Sequence, residues 1–222
     1  MKYNLLLISV AMLLASCSAL PEIAPVAPSE ESAIRQQCKA LFPQGKRQFV
    51  HSIEADMAGG RQTTMIGVTS ISSTDLTIHC VMMTIEGLVL FDGVFDGQKI
   101  IINRGVPPFD SPSFAKGMID DIILIFFHPQ TPAVHIGTME DGALICRFHT
   151  GKETAQDVVI HPNGSWMIRQ YNGNQLRRTV QADVNANTAK RISDKITLNT
   201  YGSQRYSLIL KRIESHHLEH HP

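Results

Sequence analysis

The chain has 222 residues, and its 20 basic and 20 acidic side chains cancel to a formal net charge of zero. This balance gives no electrostatic footprint for nucleic acid and none for attachment to an anionic membrane surface. About 205 residues follow the N-terminal segment described next, enough for one domain with a substantial core. Composition therefore favours a single domain with a neutral or apolar ligand.

The N-terminus has the pattern of a secretory signal that ends in a lipidation site. Lys2 supplies a positive start, and residues 5–14 form an apolar run that matches a signal h-region and is too short to span a bilayer. Leu14-Ala15-Ser16-Cys17 resembles the lipobox of bacterial lipoproteins, in which the cysteine is acylated and becomes the first mature residue. We predict a signal peptide over residues 1–16 and an acyl anchor on Cys17; cleavage as an ordinary signal peptide is the alternative.

The anchor also predicts a location. Each buried CH₂ group contributes about 0.8 kcal/mol to membrane binding, so two or three acyl chains such as palmitate would hold the protein on a bilayer. Ser18, rather than Asp, follows the cysteine, and the sorting rule of enterobacterial lipoproteins then implies the outer membrane. We expect the protein on the periplasmic face of that membrane.

Several prolines among small residues follow the anchor and predict a flexible tether over residues 17–28. Ser29 is a plausible N-cap for a first helix, which is expected to end near Leu41. Within it, Ile34 and Cys38 lie on one apolar stripe.

The hydrophobic period then changes from helical to alternating, which predicts an antiparallel meander. Asp96-Gly97 lies between two apolar strands and is a strong hairpin signal, because both turn positions require positive φ. The five strands of the meander are predicted at residues 47–55, 62–71, 75–83, 88–95 and 99–104.

Ser111-Pro112 predicts the start of a second helix, which runs to about Phe127 and stops before Pro129. Its last turn is apolar on all sides, so such a helix is buried on most sides or covers an apolar hollow. The same Ile-rich run fits a buried strand, and that alternative stays open.

Alternation resumes after this helix and predicts seven more strands, followed by a His-rich disordered tail over residues 215–222. A terminal histidine tract can chelate a transition metal, but without a scaffold it is usually solvated, so no metal site is predicted. The seven strands are predicted at residues 133–138, 143–150, 157–161, 165–171, 176–182, 195–200 and 205–213.

About 11–12 strands with one or two helices give a fold class that is mainly β with α, of the α+β type. Twisted sheets curl as strands are added, so we expect a curved antiparallel half-barrel covered by the helices. The predicted domain spans residues 29–214.

Three cysteines remain once Cys17 is acylated: Cys38, Cys80 and Cys146. In an oxidising compartment one pair at most can form a disulfide, and buried thiols are the alternative. The sequence does not select a pair. Cys80 and Cys146 lie on the apolar faces of their strands, which favours packing over chemistry.

No catalytic arrangement is predicted. His79 adjoins Cys80, and His149 lies three residues from Cys146; in a strand both offsets point the side chains to opposite faces. The sequence has no G-x-S-x-G elbow, Walker loop, H-E-x-x-H helix or G-x-G-x-x-G turn. We predict a protein that is not an enzyme and binds no cofactor; a hydrolase with a histidine and a carboxylate paired by the fold is the alternative.

The order of elements from about Lys46 to Glu214 resembles the outer-membrane lipoprotein receptor LolB and the carrier LolA. The turn Thr84-Ile85-Glu86-Gly87 stands where that family has a Thr-x-x-Gly-like turn, and Ile196-Thr197-Leu198 with Tyr206-Ser207-Leu208 resembles its closing strands. Phe126-Phe127-His128-Pro129 is similar to the helix end of a closer group of bacterial lipoproteins, which carry a domain of unknown function and are often encoded beside aryl-polyene-type lipid biosynthesis genes.

The resemblance implies an incomplete barrel with an apolar hollow that takes acyl chains, and Leu88 would correspond to the loop residue with which LolB-like receptors deliver lipoproteins. A lipid or lipoprotein ligand is thus expected, or, for an adaptor with a filled core, envelope transport or lipid-biosynthesis proteins. The residues predicted to line the hollow are Met65, Ile78, Met82, Leu90, Ile101, Met118, Ile122, Phe126, Leu144 and Phe148.

Overall fold

A computed structural model describes residues 20–183, 193–202 and 205–218 of the chain. It contains one antiparallel sheet of 13 strands that does not close on itself, with two helices. The mainly β fold class predicted from the sequence is confirmed. The predicted signal peptide and Cys17 lie outside the described residues.

The helices are α1 (Pro28–Ala40) and α2 (Pro112–Phe126). The strands are β1 (Ala24–Pro25), β2 (Lys46–Met57), β3 (Arg61–Ser72), β4 (Thr77–Met83), β5 (Val89–Phe95), β6 (Ile100–Gly105), β7 (Ala133–Thr138), β8 (Leu144–His149), β9 (Thr154–Ile160), β10 (Trp166–Asn172), β11 (Gln175–Ala182), β12 (Lys195–Thr200) and β13 (Tyr206–His217). Their order in the sheet is β1-β7-β8-β9-β10-β11-β12-β13-β2-β3-β4-β5-β6.

The sheet bends around α2. This helix packs against β6 at one edge of the sheet, and its Asp121 also contacts Arg178 of β11. Seven strand spacings separate β6 from β11 in the sheet order, which is roughly 34 Å on a flat sheet. A helix is only about 10–12 Å wide, so a flat sheet could not touch it at both places.

Helix α1 begins at Pro28, one residue before the predicted N-cap Ser29. The backbone N–H of Ala27 donates to the Glu30 carboxylate at 3.4 Å, and a proline at the first helical position needs no N–H partner. Its buried residues Ile34 and Cys38 face β7–β9.

A disulfide joins Cys38 of α1 to Cys146 of β8 and closes a separation of 108 residues. It settles the pairing that the sequence left open, and Cys80 is a buried free thiol. The bond fixes α1 on the inner face of the sheet, the face that carries the main hydrophobic core.

The second predicted helix is confirmed, and the alternative of a buried strand is wrong. The hydroxyl of Ser111 accepts from the backbone N–H of Phe114 at 3.3 Å, so Ser111 is the N-cap and Pro112 the first helical residue.

No helix among residues 20–183, 193–202 and 205–218 has the length and apolar character needed to cross a bilayer.

The tether predicted over residues 17–28 is wrong for its described part, which packs on the sheet. Ala24 and Pro25 pair with β7, and the Pro21 carbonyl accepts from Nη2 of Arg147 at 3.0 Å. That guanidinium also forms two bonds, at 2.7 and 2.8 Å, to the fully buried Asp157. Residues 20–25, here called the N-terminal strap, thus cover the outer face of β8 and β9, because they satisfy a buried charge pair there.

The predicted start of the disordered tail is also wrong. Residues 215–217 belong to β13 and pair with Phe49, Gln48 and Arg47 of β2. A bulge between Arg212 and Glu214 shifts the register, and the strand then continues past the point where the apolar alternation stops. The part of the predicted tail beyond Leu218 lies outside the described residues.

Gly137→Ala should detach the N-terminal strap. A Cβ at this position would lie 2.1 Å from the Ala24 carbonyl oxygen, which is backbone and cannot rotate away. We expect the free energy of unfolding to fall by about 1–3 kcal/mol, with faster amide hydrogen exchange in the strap. Gly117→Ala is the control, because nothing lies within 4 Å of its Cβ and a helical alanine stabilises by about 0.5–1 kcal/mol. Unchanged strap exchange in Gly137→Ala would contradict the packing described.

Reduction of the Cys38–Cys146 disulfide should lower the free energy of unfolding by about 4 kcal/mol, because the bond constrains a long loop of the unfolded chain. Urea unfolding with and without dithiothreitol measures the difference. The double variant Cys38→Ala/Cys146→Ala should show no response to the reductant. An equal response in both proteins would mean that the reductant acts elsewhere.

Candidate functional site

Helix α2 lies at the centre of the candidate site, and each of its sides has a different character. An open apolar groove lies toward β6, a packed core lies beneath the helix, and a polar cluster lies toward β11 and β13. A second pocket lies beyond the C-terminal end of the helix.

The α2 groove is a depression of about 610 Å³ between the first three turns of α2 and strands β5 and β6. Its polar rim includes Lys116 and Asp120, which are one helical turn apart and form an ion pair of 2.6 Å. Because β6 is the last strand of the sheet, the groove lies at an open edge. Its apolar floor consists of Phe95, Ile100, Ile102, Ala115, Ile119 and Ile123.

The core beneath α2 contains a buried histidine. His51 of β2 is 2% exposed and packs beside the stacked rings of Phe49 and Phe126, with its centroid 6.0 Å from both. Burial, together with the smaller effect of the Arg212 charge, lowers the pKa of His51 to about 4. The imidazole is therefore neutral at neutral pH and acts as a core side chain.

Cys80 also lies beneath α2. Its thiol is 3.9 Å from the sulfur of Met118 and accepts from the Thr69 hydroxyl at 3.9 Å. Burial raises the pKa of Cys80 to about 12, so the group is a protonated thiol and not a nucleophile. The packing role expected for Cys80 is confirmed, whereas Cys146 lies in the main core but forms the disulfide with Cys38.

The polar cluster on the other side of α2 consists of Asp121, Tyr206 and Arg178, and we call it the Asp121 clamp. The Tyr206 hydroxyl donates to Oδ2 of Asp121, and Nε of Arg178 lies 3.2 Å from Oδ1 without an aligned hydrogen bond. Burial raises the pKa of Asp121 to about 6 in spite of the nearby guanidinium. The pKa of Tyr206 is raised as well, first by burial and then by the Asp121 charge.

The second pocket, the α1–α2 pocket, has a volume of about 420 Å³ and lies where the C-terminal ends of the two helices approach β8. His128 is on its wall, and the edge-on rings of Phe42 and Phe148 hold this imidazole at centroid distances of 5.6 and 5.2 Å. Nε2 of His128 is buried without a hydrogen-bond partner in the described chain. Burial lowers the pKa of His128, a hydrogen bond from the ring to the Pro129 backbone opposes this shift, and the Lys39 charge adds to it.

Most residues predicted to line an apolar hollow are packed together instead. Of the ten, Phe148 contributes to one of the two pockets described here, the α1–α2 pocket. Met118 and Leu144 are partly buried and pack against the main core. Six of the ten are buried members of that core: Met65, Ile78, Met82, Ile122, Phe126 and Phe148.

The prediction that Leu90 and Ile101 face inward is wrong. Ile101 is 42% exposed, and the neighbouring residues Ile100 and Ile102 face the core instead. Val89-Leu90-Phe91 and Ile100-Ile101-Ile102 are runs of three apolar residues, so the sequence does not indicate which of them face inward, and Leu90 is also the extra residue of a bulge opposite Met82 and Met83.

The structure also forms a histidine–carboxylate pair that the sequence analysis missed. Nε2 of His79 lies 3.0 Å from Oδ1 of Asp92, which also accepts from Asn103 at 3.1 Å. His79 is half exposed and lies on the face of β4 opposite Cys80, outside both pockets. Within the part of the chain that the structure describes, no three His, Cys, Asp or Glu side chains are grouped to hold a metal ion.

Two solved structures resemble this fold. A LolA superfamily protein from Nitrosomonas europaea matches with a TM-score of 0.54 at 12% identity, over 86% of this chain and 94% of its own. A domain from Vibrio parahaemolyticus, named as an outer membrane lipoprotein-sorting protein, matches with a TM-score of 0.50 at 9% identity, over 85% and 92%. No family model matches the chain, and no curated protein does. The LolA/LolB-like fold predicted from the sequence is confirmed.

Two buried titratable groups, His51 beneath α2 and Asp121 on it, should have opposite effects on stability between pH 4 and 6. His51 has a lowered pKa, so its contribution is lost as pH falls from about 6.5 to 4; Asp121 has a raised pKa, so its contribution is gained as pH falls from about 6 to 4. Each shift corresponds to about 3 kcal/mol.

In Asp121→Asn, the pH dependence of stability that is due to His51 should no longer be offset by Asp121. We expect its free energy of unfolding to fall by about 3 kcal/mol between pH 6.5 and 4 relative to the natural chain, and that of His51→Gln to rise. Urea titrations across this range measure both. Parallel pH profiles for all three proteins would refute the assignment of these two groups.

Proposed function

We propose that this protein is a lipid-anchored, non-catalytic protein that binds an acyl chain of a lipid or lipoprotein in the α2 groove and holds or transfers it at the outer membrane. The observation that carries the proposal is the apolar groove at the open edge of a LolA-like sheet. An acyl chain needs an apolar floor and no matching hydrogen bonds, and this floor consists of six apolar residues.

The size and the rim of the groove support an acyl ligand. Its volume of about 610 Å³ falls within the range of roughly 300–1,000 Å³ that is typical of small-molecule sites. The rim charges of Lys116 and Asp120 neutralise each other through their ion pair, so the entrance presents no uncompensated charge to an apolar chain. A chain can enter here without displacing the core beneath α2.

The proposed location rests on two observations. The lipobox-like segment supports acylation of Cys17, and the Cys38–Cys146 disulfide indicates an oxidising compartment such as the periplasm. The Vibrio parahaemolyticus domain, named for lipoprotein sorting, is consistent with the periplasmic face of the outer membrane.

A second function, that of an adaptor for envelope transport or lipid-biosynthesis proteins, is favoured by two observations. The residues expected to surround a hollow fill a core instead, and the β4–β5 turn presents Ile85 and Leu88 at 68% and 54% exposure. Apolar side chains at an exposed turn fit a protein partner. An adaptor would co-purify with stable protein partners and no lipid.

Ile123→Lys should reduce acyl-chain binding. Ile123 is 36% exposed in the groove floor, and a lysine ammonium there would have to be desolvated when a chain binds. We expect affinity for a photoactivatable fatty acid to fall roughly tenfold. The fatty acid is added to the full-length protein after purification in detergent, so that it cannot be built into an anchor.

Ile101→Lys is the matched control, because Ile101 has similar exposure but faces away from the core on the neighbouring strand. Crosslinking yield and mass spectrometry of the labelled peptides report affinity and position. Equal labelling of the two variants, or labels outside residues 95–123, would refute the groove as the acyl site.

A further inference from the structure

We propose that the α1–α2 pocket binds the phosphate group of a phosphate monoester, either a soluble ester or a lipid headgroup. The proposal goes beyond acyl binding, since the pocket lies past the C-terminal end of α2 whereas the groove lies along its first turns. The polar or charged residues on its wall are Arg35, Lys39, Gln44, Ser73, His128, Gln130 and Thr131.

The pocket concentrates positive charge. Arg35 and Lys39 are four residues apart and thus on one face of α1, and neither side chain forms a hydrogen bond or ion pair with the described chain. The wall contains no aspartate or glutamate, although the chain has equal numbers of acidic and basic residues. Glu31 lies one turn before Arg35 on α1 but does not line the pocket, so the two cations on the wall fit a ligand with two negative charges.

The same end of α1 explains why two cations are needed. The C-terminal end of a helix carries a partial negative charge, which repels an anion. Lys39 lies in the last turn of α1 and offsets this charge, and the guanidinium of Arg35 can form two parallel bonds to phosphate oxygens.

His128 supplies a neutral acceptor. Its Nε2 is the buried nitrogen without a partner, and because the ring's hydrogen bond to the Pro129 backbone favours the Nδ1–H tautomer, Nε2 accepts from a hydroxyl group of the ester. The charged groups that face it on the pocket wall are Arg35 and Lys39. Bonding to a ligand would satisfy a polar atom that the fold itself leaves unpaired.

The walls of the pocket are held in place before any ligand arrives. The Cys38–Cys146 disulfide lies next to Lys39 in the chain, and Pro43, Pro129 and Pro132 form part of the lining. A rigid site loses less conformational entropy when it binds. At about 420 Å³ the pocket holds roughly ten or more water volumes, so the ligand is larger than inorganic phosphate and its remainder contacts Phe127 and Phe148.

The test uses the full-length protein in phosphatidylcholine nanodiscs. Glycerol 3-phosphate is the soluble probe, and its binding is measured by titration calorimetry. Phosphatidic acid added to the nanodisc is the lipid probe, and it should compete if the ester belongs to a headgroup. We expect saturable binding by the natural chain and a loss of roughly a hundredfold in Arg35→Gln/Lys39→Gln, about tenfold for each cation removed.

Lys152→Gln is the matched control, because it removes an exposed cation outside the pocket. This variant should bind within twofold of the natural chain. Both substitutions in the pocket are at exposed helix positions, so the double variant should fold, as thermal unfolding will show.

Absence of saturable binding of either probe to the natural chain would overturn the proposal. So would an equal loss in Lys152→Gln, or undiminished binding in Arg35→Gln/Lys39→Gln. Competition by phosphatidic acid assigns the ester to a lipid, and its absence assigns it to a soluble molecule. Failure of the groove experiment leaves these outcomes unchanged, because Ile123 does not line this pocket.

Discussion

Helix α2 contacts two distant strands of the same sheet, and the other features of the structure depend on these two contacts. Because α2 contacts both β6 and β11, the sheet must bend through the strands between them. The last turn of the helix can then be apolar on every side, because the side chains of Leu124, Ile125 and Phe126 are all buried. Three features follow from this bend. The groove lies where the sheet ends at β6, the core fills the space between the sheet and α2, and the Asp121 clamp forms where α2 meets Arg178 of β11.

The elements that could be predicted from the sequence are those whose signals are local. Ser111-Pro112 marks the start of α2, and Asp-Gly or Asn-Gly pairs mark hairpins, because their backbone geometry needs those residues. The faces of β5 and β6 could not be predicted correctly, because residues 89–91 and 100–102 are continuous apolar runs in which alternation does not distinguish the buried face from the exposed one. The LolA-like resemblance gave the fold class, but not the place of the site.

The contacts that define the candidate sites join distant parts of the chain, and no local signal announces them. Asp121 and Tyr206 are 85 residues apart, and Cys38 and Cys146 are 108. The α1–α2 pocket exists only once the disulfide has placed α1 beside β8. Apolar residues such as Met65 and Met82 were expected around a hollow because composition identifies a core face, but composition does not show whether facing side chains meet or leave a gap between them.

The N-terminal strap limits how far the domain could lie from a membrane in which an acyl group on Cys17 is inserted. Only residues 18–20 separate that cysteine from Pro21, whose carbonyl is bonded to Arg147. An extended chain advances about 3.3–3.6 Å per residue, so the reach from Cys17 to Pro21 is roughly 14 Å. With the acyl anchor proposed above on Cys17, this distance would keep the domain close to the bilayer, with the outer face of β8 and β9 nearest to it. The segment from Cys17 to Pro21, which is shorter than the thickness of one lipid leaflet, would then set the orientation of the domain and the direction from which a ligand approaches.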